Sequence, residues 1–118
     1  MVYKHIVMWK FKEQHNGKSA LENARWMKEQ LEALVGVVPE LLSAEVGISP
    51  ALEQAAEAAA AEAPAQAASG EYDACLVSTF ASPEALAAYK VHPKHKAISA
   101  YCKEARLKRL AFDWWSEE

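Results

Sequence analysis

The sequence is poor in cysteine, with Cys75 and Cys102 as its only thiols. Two cysteines are too few for the disulfide framework of a small secreted protein or for a four-cysteine zinc site, so we interpret them as small buried apolar side chains in a reducing compartment. The chain also lacks the apolar core of a signal peptide and any apolar run of transmembrane length. By elimination, these absences predict a cytoplasmic protein.

Positive charge is not in excess either: 13 Lys and Arg stand against 16 Asp and Glu, a formal net charge of -3. Binding to nucleic acid or to an anionic membrane surface depends on clustered Lys and Arg, so neither partner is expected. The one dense basic cluster is interrupted by Glu104 and flanked by Asp113; it consists of Lys103, Arg106, Lys108 and Arg109. No flavin or haem motif is present, and we expect no cofactor.

What the sequence does have is apolar material for one core: 52% of its 118 residues are hydrophobic and 25% are charged. This composition predicts a single domain over residues 1–118. The exception is a low-complexity Ala/Glu-rich insertion at about 50–70, broken by Pro64. Because it has few large apolar residues, we expect a mobile or partly helical loop outside the core.

The first ten residues after Met1 are typical of a strand that is covered on both sides. Residues 2–11 are rich in β-branched and aromatic types and contain neither Gly nor Pro. Val7 and Trp9 fall on one face, while Ile6 and Met8 fall on the other. A strand with one solvated face alternates between apolar and polar residues, which this one does not.

The remaining patterns alternate between helix and strand. Asn16-Gly17 predicts a turn, an apolar stripe predicts a helix over 18–35 that stops near Gly36, and Ser82-Pro83-Glu84 predicts a helix start. Further strands are predicted at 41–48, 72–80 and 107–115, with two short helices at 83–89 and after Pro93. The order is the βαββαβ pattern of an α+β, ferredoxin-like protomer with a four-stranded antiparallel sheet and helices on one face.

The sheet face without helices presents an apolar surface in this arrangement. We expect a second copy of the chain to cover it, giving a two-fold homodimer and a dimeric α/β barrel. The residues predicted to line this interface are Ile6, Met8, Leu110, Phe112 and Trp114.

Three titratable rings lie close together around Pro93, which prevents the upstream helix from continuing. Tyr89 and His92 precede the proline, and His95 follows it. His95 is a candidate general base because imidazole titrates near neutral pH, and Tyr89 could orient it or bind a substrate oxygen. A hypothesis of equal weight is that the two rings only brace the corner between the helices.

Three stretches together resemble the stress-responsive dimeric α/β-barrel (Dabb) family: the first strand, the strand at 72–80 with its helix start, and the segment Tyr-Lys-Val-His-Pro-Lys-His at 89–95. The resemblance implies a ferredoxin-like protomer whose sheet packs on that of a partner. At the helix corner the sequence is similar to the plant polyketide cyclases of this family. This similarity implies that Tyr89 and His95 are catalytic and that His5 is the pocket histidine of the first strand. The activity of most family members is unknown.

The predicted pocket lies between sheet and helices, and its apolar lining is expected to consist of Val7, Trp9, Met27, Leu76 and Ile98. Trp9 and Trp26 could instead fill it. Because Arg106 and Arg109 stand where an apolar polyketide would need apolar pocket walls, they favour a smaller or anionic ligand. No metal is expected, because no Cys or carboxylate stands at ligand spacing from His5, His92 and His95.

Three hypotheses for function remain at this point. The first is small-molecule binding, with cyclase-like or lyase-like acid–base chemistry on a carbonyl compound and no cofactor. The second is a non-catalytic structural or stress-response dimer. The third is a cofactor-free monooxygenase, which no residue singles out.

Overall fold

The computed structural model describes residues 1–61 and 70–118 of the chain. The strands are β1 (Val2–Phe11), β2 (Gln14–His15), β3 (Lys18–Ser19), β4 (Ser43–Ile48), β5 (Ala74–Phe80) and β6 (Arg106–Ser116). One four-stranded antiparallel sheet, in the order β4-β5-β1-β6, forms the centre of the fold. Strands β2 and β3 form a separate hairpin with two residues in each strand.

The helices are α1 (Ala20–Glu32), α2 (Pro50–Ala60), α3 (Pro83–Val91) and α4 (Pro93–Ala105), and they begin where the sequence supplies capping side chains. Ser19 and Glu22 form a reciprocal capping box at the start of α1, and the Ser82 hydroxyl accepts a hydrogen bond from the backbone N–H of Ala85 at the start of α3. His92 ends α3 and caps α4 through Nδ1, which accepts a hydrogen bond from the backbone N–H of Lys94.

This element order and sheet topology confirm the ferredoxin-like α+β fold. The core lies between the sheet and the helices, and β1 contributes His5, Val7, Trp9 and Phe11 to it, each buried. On the opposite face Ile6 pairs with Phe112 and Met8 with Leu110. Phe112 is 64% exposed and Leu110 is 52% exposed, so the helix-free face presents apolar surface to solvent in the single chain.

Near its N-terminal end, strand β6 contains one residue more than the segment of β1 that it pairs with. Trp9 lies opposite Arg109 and Lys10 opposite Lys108, but Phe11 lies opposite Arg106. Leu107 is therefore the extra residue of a β-bulge.

Several boundaries differ from the sequence predictions. Helix α1 ends at Glu32 rather than near 35, because the chain leaves the helix in tight turns before Gly36, which has a φ of +86°. The strand predicted from 41 begins at Ser43, and Leu41 is instead buried in the preceding loop. Strand β5 begins at Ala74. Asp73, just before it, bonds to two other segments: its backbone N–H donates to the carbonyl oxygen of Trp9, and its carbonyl oxygen accepts from the N–H of Ser49.

The first half of the Ala/Glu-rich segment is the helix α2, which begins after the cap Ser49. Leu52 packs against the core, although no residue of α2 is fully buried. The rest of the segment, including Pro64, lies outside the described residues. Among the helices that the structure describes, none has the length and apolar character needed to cross a membrane.

Candidate functional site

A cleft of about 290 Å³ opens between the sheet and the helices α1, α3 and α4. Its inner surface is mainly apolar, with two histidines, and four basic side chains stand at its more exposed side. Residues from β1, β5 and β6 form the sheet side, and α4 forms most of the opposite wall. The lining residues, referred to below as the cleft, are His5, Val7, Trp9, Leu31, Leu76, Lys90, His95, Ile98, Ser99, Cys102, Lys103, Arg106 and Arg109.

His5 is held in the cleft by a carboxylate on the neighbouring strand. Its Nδ1 lies 2.5 Å from Oδ1 of Asp113, its cross-strand partner in the β1–β6 pair. An ionised carboxylate only accepts hydrogen bonds, so Nδ1 carries the proton and Nε2 of the neutral ring keeps its lone pair. Burial lowers the pKa of His5 and outweighs the opposing effect of Asp113, with Lys90 and Arg109 lowering it further.

His95 has the same tautomer for a different reason. It lies in the first turn of α4, where its Nδ1 is 3.1 Å from the backbone carbonyl oxygen of Lys90. A carbonyl oxygen accepts, so Nδ1–H donates and Nε2 is again the unprotonated nitrogen. Burial lowers the pKa of His95 and outweighs the hydrogen bond to the Lys90 carbonyl, which raises it; the charges of His5, Lys90 and Arg109 lower it further.

Tyr89 lies behind His95, with ring centroids 4.4 Å apart, and is only 1% exposed. Its other neighbour is Phe80, at 5.1 Å between ring centroids. The Tyr89 hydroxyl has no hydrogen-bond partner among the described residues, and burial raises its pKa. An unpaired buried hydroxyl is unusual and is often explained by strain, a functional role or a bound molecule.

The structure brings most of the predicted site residues together. His5, Val7, Trp9, Leu76, His95 and Ile98 all line the cleft. Two do not: Met27 is fully buried in the core, and Tyr89 contacts the cleft only through the ring of His95. Trp26 packs on Tyr101, at 4.5 Å between ring centroids, and is also outside the lining.

Sequence reasoning missed Asp113 and Lys90 as parts of this site. A signal for Asp113 was present, because Leu110, Phe112 and Trp114 share one face of β6 and Asp113 must therefore face the helices. A carboxylate on the helix-facing side of a strand requires a partner, and His5 is that partner. Lys90 gave no comparable signal. It takes part through a backbone carbonyl that contacts His95 and through a side chain at the cleft, and neither contact can be recognised from the residue type.

A metal site at these histidines needs a third ligand close to His5 and His95. Within residues 1–61 and 70–118, no three His, Cys, Asp or Glu side chains come together in a way that could hold a metal ion. His92 is turned to the helix cap rather than to the cleft, so the trio with His5 and His95 does not assemble.

Comparison with known proteins identifies the family. The sequence profile of the Stress responsive A/B Barrel Domain (Dabb) family matches residues 3–116. No curated protein matches the sequence significantly. Among solved structures, a dimeric protein of unknown function with a ferredoxin-like fold from Bacteroides fragilis is 22% identical at a TM-score of 0.74, over 98% of this chain and 96% of that one.

Two further structural relatives have names that state an activity. A hydroxynitrile lyase from Passiflora edulis is 18% identical at a TM-score of 0.69, over 99% of this chain and 95% of that one. A cofactor-independent oxygenase from Streptomyces nogalater is 4% identical at a TM-score of 0.66, over 99% of this chain and 94% of that one. At these identities the likeness concerns the fold alone.

Proposed function

Since this chain belongs to the stress responsive A/B barrel domain (Dabb) family, we propose that it binds a small molecule in the cleft and performs acid–base chemistry on a carbonyl compound without a cofactor. The observation that carries this proposal is the pair of histidines, His5 and His95, that line one cleft with Nε2 unprotonated. A neutral imidazole near its pKa is the usual general base of enzymes at neutral pH.

The proposed reaction needs only one proton carrier. Nε2 of His95 removes a proton from the carbon next to a ligand carbonyl, which leaves an enolate. The enolate carbon forms a bond to a second carbonyl carbon, and the resulting alkoxide takes the proton back from the His95 imidazolium. The base is regenerated, and no oxidant or reductant is required.

His5 and Tyr89 have supporting roles in this proposal. The carboxylate of Asp113 fixes the ring of His5 and stabilises its protonated form, so Nε2 of His5 can accept a hydrogen bond or a proton from a ligand hydroxyl. Tyr89 orients His95 through the contact between their rings. Its unpaired hydroxyl is available to a ligand oxygen if His95 shifts on binding.

Proton abstraction can be tested before the natural substrate is known. A panel of small ketones and keto acids is incubated with the protein in D₂O, and NMR follows deuterium exchange at the carbon next to the carbonyl. We expect wild-type protein to accelerate exchange for a subset, and His95→Gln to lose at least about tenfold of that rate. The control is His92→Asn, which removes a histidine outside the cleft while keeping a good helix cap.

The contrary outcome is equally definite. If wild-type protein accelerates no exchange, or if His95→Gln and wild type exchange at the same rate, the acid–base proposal is wrong. The alternative of a non-catalytic structural or stress-response dimer then takes its place. The open cleft of about 290 Å³ supports ligand binding over that alternative, because a purely bracing corner has no need of the space.

We further propose that the protein is a homodimer through the helix-free face of the sheet. Exposed apolar residues on this face, with Phe112 stacked on Trp114, form a surface that a second copy can bury. Phe112→Glu is expected to halve the mass measured by light scattering. Val91→Glu, at an equally exposed position on α3, serves as the control, and a wild-type monomer at micromolar concentration contradicts the proposal.

Three other expectations remain proposals: a cytoplasmic location, independence from cofactors, and the lack of a nucleic-acid or membrane partner. Cell fractionation, absorbance and mass spectra of the purified protein, and binding assays with DNA, RNA and anionic vesicles test them in turn. A bound chromophore in the purified protein would overturn the second.

A further inference from the structure

Basic side chains are concentrated at the cleft although the chain as a whole is acidic. Of the thirteen lining residues in the described part of the chain, four are Lys or Arg and none is Asp or Glu. The whole chain, by contrast, has 16 Asp and Glu and only 13 Lys and Arg. This distribution does not follow from composition, and it places a positive potential over the apolar inner surface of the cleft. The four residues are Lys90, Lys103, Arg106 and Arg109.

None of these four cations forms an ion pair with a carboxylate in the part of the chain that the structure describes. Other lysines do, including Lys10 with Asp73 at 3.1 Å. The carboxylate that acts on Arg109 is Asp113, but one of its oxygens already accepts from His5. Burial lowers the pKa of Arg109, and the like charge of Arg106 lowers it further.

The inner part of the cleft is different in character. Val7, Trp9, Leu76 and Ile98 are buried and apolar, and they face the space beneath the basic residues. A volume of about 290 Å³ is just below the range for ligand sites, roughly 300–1,000 Å³. The matching ligand is therefore small, with an apolar body and an anionic group at one end.

We propose that the cleft recognises a small carboxylate, whose acid group is bound by Arg106 and Arg109 and whose apolar body lies against Trp9 and Ile98. This inference rests on the proposed binding function and names its ligand class. Guanidinium groups suit a carboxylate because they offer two parallel N–H donors to its two oxygens. Lys90 and Lys103 add positive charge without fixed geometry.

Ligand charge is linked to the protonation of the histidines. The positive charges of Lys90 and Arg109 act to lower the pKa of both His5 and His95, which line the same cleft. An anion that neutralises these cations is expected to raise the pKa of both rings, and by reciprocity to bind more tightly as the rings become protonated. A shift of the two imidazole titrations on binding is a readout that separates cleft binding from binding elsewhere on the surface.

The test compares two pairs of probes matched in shape and different in charge. Phenylacetate and phenylacetamide, and benzoate and benzamide, are titrated into ¹⁵N-labelled wild-type protein at low ionic strength. We expect each carboxylate to bind at least about tenfold more tightly than its amide and to raise the pKa of His95. Arg109→Gln and Arg106→Gln are each expected to remove most of that preference, whereas Arg25→Gln, an exposed arginine outside the cleft, keeps it.

The outcomes separate this inference from the proposed function. If amides and carboxylates bind in the cleft equally well, or if the arginine variants keep the preference, recognition of the acid group is wrong while small-molecule binding stands. If neither probe class, nor any ketone of the exchange panel, perturbs the cleft residues at millimolar concentration, both are wrong. Far-UV circular dichroism of each variant verifies that the fold is intact.

Discussion

The imidazole of His95 lies against the phenol ring of Tyr89 at 4.4 Å between ring centroids, yet the Tyr89 hydroxyl donates to no described residue. The ring of Tyr89 is used for packing, between His95 and Phe80, and its oxygen is not. Packing alone is satisfied equally well by phenylalanine. The role of the Tyr89 hydroxyl can therefore be tested by substitution.

Tyr89→Phe is expected to leave the free energy of unfolding unchanged within about 0.5 kcal/mol, because no hydrogen bond within the described chain is lost. The same substitution at Tyr101 is the control: its hydroxyl donates to Asn23 at 2.5 Å, and its loss should cost about 1–3 kcal/mol. Urea unfolding measures both. If Tyr89→Phe is as costly as Tyr101→Phe, the hydroxyl has a structural partner; if stability is kept and ligand binding falls, the oxygen serves the ligand.

Asp113→Asn is expected to lower the pKa of His5 further, because the carboxylate is the group that raises it against the effect of burial. The fixed Nδ1–H tautomer should also give way to a mixture, since an amide can donate or accept. Long-range ¹H–¹⁵N NMR of the imidazole nitrogens reports both quantities. Glu104→Gln, an exposed carboxylate change on α4, provides the comparison, and a raised or unchanged pKa of His5 in Asp113→Asn contradicts the assignment.

Stability is expected to fall as the pH drops below about 6.5, the ordinary pKa of histidine, toward the lower values of His5 and His95 in the folded chain. Both rings have a lowered pKa when folded, so the unfolded chain binds more protons in this window and is favoured by acid. The slope is at most ~1.4 kcal/mol per pH unit for each histidine. The lowered pKa values of Glu22 and Glu32 act only in a more acidic range, below 4.5.

Urea unfolding between pH 7 and pH 5, at one protein concentration, measures this slope. The double variant His5→Gln/His95→Gln should flatten it, because the two groups responsible are gone. A wild-type stability that is constant over this range would mean that the histidines titrate alike in both states.

Asn23→Leu is expected to destabilise the chain by about 3 kcal/mol or more. The buried amide of Asn23 donates to the carbonyl oxygens of His15, at 3.2 Å, and Lys18, and accepts from Tyr101. The apolar replacement leaves these partners unpaired, two of them at the hairpin and one on α4. Thermal unfolding measures the loss, with the exposed Asn16→Asp as the comparison; a cost below 1 kcal/mol contradicts the network.

Much of the fold could be predicted from local chemistry. The two-sided apolar pattern of β1, the Ser82 cap and Pro93 each depend on neighbours within a few residues, and the structure has the strand, the helix start and the corner where they were expected. The Asn16-Gly17 turn follows the same logic, with φ values of 57° and 74° that these residue types tolerate. Such patterns are sufficient where the conformation of a segment depends only on residues next to it in the sequence.

The site was less predictable because it depends on partners far apart in sequence. His5 and Asp113 are 108 positions apart, and their contact follows from the register between β1 and β6. Met27 shares the apolar helix stripe with Leu31, yet only Leu31 reaches the cleft. Periodicity identifies the buried side of an element, but the space left between two buried sides depends on how they pack.

The bulge at Leu107 decides which way an arginine points. Arg106 and Arg109 are three positions apart, and an odd separation in a regular strand directs two side chains to opposite faces. The extra residue at the bulge cancels this alternation. Arg106 therefore stands opposite Phe11, and both arginines line the cleft. A homologue with the same two arginines three positions apart, in a strand without this bulge, would turn one of them away from the cleft. Its binding preference would then change although its net charge would not.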